Sequence, residues 1–211
     1  MDEYKTLSGE VTGEYTEKKS RFIATLRPVS DEAEALAFIA EMKKKYWDAR
    51  HNCSAYIVGS EKPLERCSDD GEPSRTAGMP MLEVLKGAGL KNVCAVVTRY
   101  FGGILLGTGG LVRAYQAAVQ EALSAAVTDG AVLTCRYLNS VEFTVDYTAY
   151  GRLQYYITQD NLHVESTDFG GDVTVRLLLD DEAFADLSAK ITEATSGDCL
   201  IENLGKVWAL V

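Results

Sequence analysis

The sequence predicts an α+β fold in two domains, and three features carry that prediction. Short strand-like runs and helical periodicities alternate without the strict strand-helix repeat of a parallel α/β sheet. The last third of the chain reads strand, helix, strand, strand, helix, strand, the order of a ferredoxin-like split unit. Charge also divides the chain. Residues 1–135 carry 16 basic and 18 acidic side chains, net −2, whereas residues 136–211 carry 5 and 13, net −8, of a total of −10. We therefore divide the chain at residue 135, into domains 1–135 and 136–211.

In the first domain, Val11–Tyr15 and Ser20–Leu26 read as strands joined by a turn at Glu17–Lys19. Ser30 or Asp31 then caps a helix whose first turn is acidic and whose last turn holds Lys43, Lys44 and Lys45, complementing the macrodipole at both ends. Ala35, Phe38, Ile39, Met42 and Tyr46 recur at helical spacing and form its buried stripe. A strand is expected at Asn52–Val58 and a turn at Gly59–Pro63. Ser68–Pro80 reads as a polar loop, and Pro80 as the opening of a short helix, Met81–Lys86, closed by Gly87 or Gly89.

Val93–Thr98 is a continuous apolar run, as expected of a central strand buried on both faces. After the glycine-rich segment comes an alanine-rich helix, Leu111–Val127. Leu111, Tyr115, Ala118 and Ala122 make one apolar row, and Val112, Val119, Leu123 and Ala126 a second. Its polar stripe includes Arg113. In the second domain the expected elements are strand Val141–Val145, helix Tyr150–Gln159, strands Leu162–Ser166 and Val173–Leu179, helix Glu182–Thr195 and strand Cys199–Trp208.

Composition narrows the function. Apolar residues make up 46% and charged residues 25%, enough for a sizeable core. No apolar run is long enough to span a membrane, and the N-terminal sequence does not read as a secretory signal. Five cysteines without CxxC spacing suit reduced thiols rather than a disulfide framework or a zinc site. A cytoplasmic location, no metal, no cofactor and no membrane partner are the expectations. The acidic second domain repels nucleic acid, so an anion-binding surface is expected on the first.

The segment Arg99-Tyr-Phe-Gly-Gly-Ile-Leu-Leu-Gly-Thr-Gly-Gly-Leu-Val-Arg113 joins the buried strand to the long helix. Glycine lets backbone amides approach a ligand without a Cβ in the way, and the first helical amides form a positive end. Thr108 is the candidate N-cap, and Arg99 and Arg113 are placed to reach an anion at Gly107, Thr108, Gly109 and Gly110. Neither the P-loop nor the dinucleotide spacing is present. The glycines fit tight turns and close packing as well as they fit an anion cradle.

Several motifs then resemble the YigZ/IMPACT family. They are Arg99-Tyr100-Phe101-Gly102-Gly103 with the preceding GAGLKNVCAVVT, Lys19-Ser20-Arg21-Phe22-Ile23-Ala24, Ala49-Arg50-His51-Asn52-Cys53, Asp69-Asp70-Gly71-Glu72-Pro73-Ser74, and Thr76-Ala77-Gly78. The resemblance is strong over residues 10–130, and the remainder is similar to the smaller appended domain of bacterial members. It implies a ribosomal protein S5 domain 2-like fold followed by a ferredoxin-like domain similar to the last domain of elongation factor G. It also implies a connection with translation, because the family's eukaryotic namesake is a translational regulator.

The functional expectation is a non-enzymatic, translation-associated or regulatory protein that binds RNA, the ribosome or a protein partner through its first domain, without DNA sequence specificity. The anion or nucleic-acid surface would use Lys18, Lys19, Arg21, Arg75, Arg99, Tyr100 and Arg113 with the amides of Gly107, Thr108, Gly109 and Gly110. The alternative is a phosphate- or nucleotide-binding enzyme using the turn at 102–110. His51, Asp69, Asp70 and Glu72 form a further polar cluster, read either as oxygen ligands for a divalent ion or as a solvated turn whose acids cap backbone amides. His51 and Cys53 lie two apart on a strand and so face one side, as a base and nucleophile or as core and loop edge.

Overall fold

The computed structural model describes residues 3–211, and the chain divides into two compact units, Tyr4–Thr134 and Cys135–Val211 together with Glu3. The first unit is built on strands β2 (Val11–Glu17), β3 (Ser20–Pro28), β4 (His51–Val58), β5 (Leu64–Ser68) and β6 (Val93–Tyr100). They form one antiparallel sheet in the order β2-β3-β6-β4-β5. A short strand, β1 (Glu3–Leu7), precedes them and was not anticipated; Lys5 bridges Leu90.

Three helices cover both faces of this sheet. Helix α1 (Glu32–Lys45) lies on one face, and α2 (Gly78–Gly87) and α3 (Thr108–Thr128) on the other. The central strand β6 alternates between them. Cys94 and Val96 join Phe38, Met42 and Ala35 of α1, whereas Val93, Ala95 and Val97 join Met81, Leu85, Ala118 and Ala122. This explains why Val93–Val97 reads as continuous apolar sequence: both faces are covered. The close approach of α3 to the sheet depends on Gly13, since a Cβ there would lie 2.2 Å from the backbone nitrogen of Ala122.

Local chemistry sets the element boundaries. Lys18 and Lys19 both adopt positive φ, 45° and 64°, and Glu17 pairs with Ser20, so β2 and β3 are joined by a two-residue hairpin turn. Asp31 caps α1 by accepting from the Glu34 amide, while Glu34 accepts from the Ser30 amide, a reciprocal pair close to a capping box.

Helix α2 starts earlier than its proline predicts. Pro80 is the third helical residue, and the cap position, Ala77, has no side chain able to bond. The cap comes instead from Asp69, eight residues upstream. Helix α3 likewise begins at Thr108, so Thr108 is its first residue and Gly107 the N-cap.

In the second unit, β7 (Val132–Val145), β8 (His163–Phe169), β9 (Val173–Leu179) and β10 (Glu202–Leu210) pair antiparallel in the order β10-β7-β9-β8. Helices α4 (Tyr147–Gln159) and α5 (Asp181–Ala194) cover one face, where Val141, Phe143, Val175 and Leu177 meet Leu153, Leu187 and Ile191. Asp146 and Asp180 cap the two helices through the amides of Ala149 and Ala183. The strand order 4-1-3-2 of this βαββαβ unit is the ferredoxin-like arrangement the element order predicts. No helix is long and apolar enough to cross a membrane among the described residues.

Candidate binding site at the glycine-rich turn

The turn between β6 and α3 is locked to the β2–β3 hairpin. The Gly102 amide donates to Ser20 Oγ at 3.1 Å, and a Cβ at Gly102 would lie 2.0 Å from the carbonyl carbon of Lys19. Only glycine permits that approach. The register also sets Arg21 opposite Tyr100. The structure thus brings Lys18, Lys19, Arg21, Tyr100 and the glycine-rich turn to one end of the sheet.

The N-terminus of α3 has no side-chain cap, and Gly107 enters it at φ 72°. The first intrahelical bond is that of the Leu111 amide to the Gly107 carbonyl. Thr108 and Gly109 are exposed and Gly110 is half-buried, which leaves this end of the helix open to an anion. Arg113 is exposed, and its Nη1 lies 3.7 Å from where a Cβ on Gly109 would stand, so its guanidinium lies over the first turn.

The remaining basic residues are differently placed. Arg21 forms a bidentate pair with Glu14 at 2.6 and 2.8 Å, which lowers the Glu14 carboxyl below its ordinary range and neutralises the arginine locally. Arg75 lies on the loop before α2 at φ 62°, its amide bonded to Asp69. Arg99 is not a free cation. It is 7% exposed, donates from Nη1 to Glu72 at 2.6 Å, and is flanked by the rings of Phe22 and Phe101 at 5.5 and 5.6 Å.

The polar cluster resolves into separate tasks. Asp69 accepts from the amides of Arg75, Ala77 and Gly78 at 2.7, 3.0 and 2.8 Å, serving as the missing cap of α2. Asp70 accepts from the Asn52 amide at 2.7 Å and pairs with Lys43. His51 Nδ1 lies 2.9 Å from the Asp70 carbonyl. Glu72 is buried and bonds Arg99 and Tyr115, the latter at 2.8 Å. The carboxylates are therefore directed at backbone amides and cations, and no three ligating side chains converge on a metal among the described residues. Asp69 and Asp70 accept from backbone amides, whereas Glu72 is a core residue that its polar surroundings in sequence conceal.

His51 and Cys53 do meet the same turn. The Cys53 thiol lies 3.0 Å from the Asp69 carbonyl and 3.3 Å from the Tyr115 hydroxyl. Burial pushes its pKa well above the ordinary thiol value, so thiolate is suppressed where a nucleophile would need it.

The Impact N-terminal domain model matches residues 18–123, and a domain of unknown function, DUF1949, matches residues 143–198. The chain is 40% identical to the IMPACT family member YvyE of Bacillus subtilis (strain 168), over 93% of this chain and 89% of that one. The chain belongs to the IMPACT family. This IMPACT family member is also 37% identical to the Protein IMPACT of Homo sapiens, over 44% of this chain and 30% of that one. Its fold matches a solved structure described as the crystal structure of a hypothetical protein, with a TM-score of 0.60, 33% identity and coverage of 97% and 98% of the two chains. Both family segments fall within single compact units, and the glycine-rich turn lies inside the first.

Proposed function

We propose that this IMPACT family member is a non-enzymatic, translation-associated binding protein that presents the α3 N-terminus and the adjoining Lys18–Lys19 hairpin to RNA or a ribosomal surface. The observation that carries this reading is the open, uncapped start of α3 beside exposed lysines. Among the described residues, neither Lys18 nor Lys19 pairs with an acid. Phosphate groups suit unpaired helical amides, and lysines on a hairpin tip supply charge without sequence preference. The eukaryotic namesake's role in translation supports the association with the translation machinery. Against a thiol nucleophile, Cys53, which stands two residues from His51, is enclosed in the core.

The test is fluorescence anisotropy with labelled ribosomal RNA fragments and tRNA across 50 to 200 mM salt. The expected result is affinity that falls steeply with salt. The double change Lys18→Glu, Lys19→Glu should weaken binding alike on all sequences and reduce the salt slope by roughly 1 to 2. Binding that is absent, or indifferent to salt and to that change, overturns the reading.

A further inference from the structure

A cleft of about 580 Å³ opens beside the turn, within the first unit, lined by Asp48, Arg50, His51, Arg99, Phe101 and Leu105. Its volume falls within the range of small-ligand sites. Two features separate it from ordinary surface relief. First, it exposes large apolar side chains: Phe101 is 50% and Leu105 82% exposed. Second, a guanidinium is held in its wall at high cost. Arg99 is more than nine-tenths buried, Glu72 satisfies Nη1, and Nε has no hydrogen-bond partner.

Two other polar groups are held in fixed orientations. Tyr100 donates its hydroxyl to Asp48 Oδ1 at 2.8 Å, which fixes that carboxylate at the rim. His51 Nδ1 lies 2.9 Å from the Asp70 carbonyl, which can only accept, so Nδ1 donates and the ring is held in place. Arg50 is exposed and has no acidic partner among the described residues. The cleft therefore offers an aromatic-aliphatic shelf, the exposed guanidinium of Arg50, one fixed carboxylate and the His51 ring.

We propose that this cleft is a nucleotide subsite. A nucleobase stacks on Phe101 and Leu105, its phosphate meets the exposed guanidinium of Arg50, and Asp48 accepts from an amino group on the base edge. A planar ring with an anionic group matches both halves of the lining. A bare anion leaves the apolar shelf uncovered, and an apolar ligand leaves Arg50 unused. The subsite takes a free mononucleotide or the terminal nucleotide of an RNA, and it does not require RNA to engage the start of α3.

The experiment is a backbone amide NMR titration of the full chain with AMP, GMP, CMP and UMP. Ribose 5-phosphate, inorganic phosphate and phenylalanine serve as controls, the last presenting a ring with a carboxylate but no base edge. The expected result is saturable shifts at residues 48–51 and 99–105 with at least one nucleotide, and binding at least several-fold weaker for every control. Phe101→Ala and Arg50→Ala, both at exposed positions that leave the core intact, should each weaken that nucleotide about tenfold. A labelled RNA with and without a 3′-terminal phosphate separates a terminal nucleotide from a free one.

Shifts confined to residues 107–111, equal binding of any control, or variants with unchanged affinity would each overturn the subsite. RNA binding lost on charge reversal of Lys18 and Lys19 but kept in Phe101→Ala and Arg50→Ala sinks the subsite and leaves the proposed function standing. Nucleotide binding that survives the lysine reversal while salt-dependent RNA binding is absent sinks the proposed function and leaves the subsite.

Discussion

Arg99 and Glu72 meet at 2.6 Å with only 8% and 3% of their side chains exposed, joining the end of β6 to the loop before α2. Tyr115 of α3 donates to the same carboxylate oxygen, and its ring packs edge-on against Phe22 at 5.1 Å. One carboxylate thus ties a strand, a loop and a helix together beneath the glycine-rich turn. Burying both charges is costly, and their attraction roughly repays that cost, so the loss of one partner is what tells. Glu72→Gln should destabilise the first unit by about 3 to 5 kcal/mol, because the Arg99 charge stays buried without compensation. Glu72→Leu combined with Arg99→Met should cost less than Glu72→Gln alone. Urea unfolding midpoints of the three proteins decide it; equal losses would mean that the pair is not electrostatically coupled.

Asp69 has a different task, and its variant should have a local signature. Three backbone amides at the start of α2 converge on its carboxylate. Asp69→Ala leaves those amides without a partner and removes the cap that Ala77 cannot supply. The expected loss is about 2 kcal/mol, at the upper end for a helix cap. Hydrogen exchange should quicken over residues 75–80 and stay unchanged in β3 and β6. Uniform quickening across the sheet would show Asp69 to be a global rather than a capping residue.

Gly102 and Gly109 look alike in sequence but should respond oppositely to alanine. A Cβ at Gly102 strikes the backbone of Lys19 at 2.0 Å, and backbone cannot yield as a side chain can. At Gly109 the nearest atom is the mobile end of Arg113, 3.7 Å away. Gly102→Ala should therefore cost about 3 kcal/mol and displace the hairpin from the turn. Gly109→Ala should be neutral or slightly stabilising, since alanine favours helix over glycine by about 1 kcal/mol. Thermal unfolding of both variants, read side by side, tests the contrast.

The fold was legible wherever periodicity reported burial. Val173–Arg176 alternates before the apolar run Leu177–Leu179 and the strand is found where the pattern puts it, and Val93–Val97 is apolar throughout because two helix layers cover it. The α3 rows at Leu111 and Tyr115 likewise mark its buried face. What escaped was fixed by contacts distant in sequence. The cap of α2 comes from Asp69, so Pro80 misplaced its start. Strand β5 is short and mostly exposed, and carries no alternation to find. At the site, the turn was visible from its glycines, but Glu72 was not. Its charged neighbours Asp69, Asp70 and Arg75 suggested a solvated loop, whereas Tyr115 and Arg99, 43 and 27 residues away, draw it inward. In the sequence Phe101 was legible as an exposed ring able to stack on a base, but the cleft it forms with Asp48, Arg50 and Leu105 was not, because those residues meet only through the sheet register.

The buried thiols give the stability a defined alkaline edge. Burial raises Cys53 far above 9.0 and raises Cys94 from 9.0 to about 12. For both, the folded value lies above the unfolded one. The native chain therefore keeps protons that the unfolded chain releases, and stability falls with pH. The contribution is complete below pH 9, declines as pH rises beyond it, and for Cys94 is exhausted near pH 12. Each thiol adds a slope approaching about 1.4 kcal/mol per pH unit within its window. Tyr56, raised to about 12 by burial and its bond to Glu32, adds to the decline above pH 10. Urea titrations at pH 7.5, 9, 10 and 11 should show a loss that steepens from pH 9. Cys94→Ala lowers stability at every pH by leaving a small cavity, but its decline between pH 10 and 11 should be shallower by about one thiol's share. The same burial predicts the order of alkylation at pH 7.5: iodoacetamide should label the exposed Cys67 while native Cys53 and Cys94 stay unmodified. Labelling of Cys53 at the rate of Cys67 would show that the loop over it opens, and would restore the thiol as a candidate nucleophile.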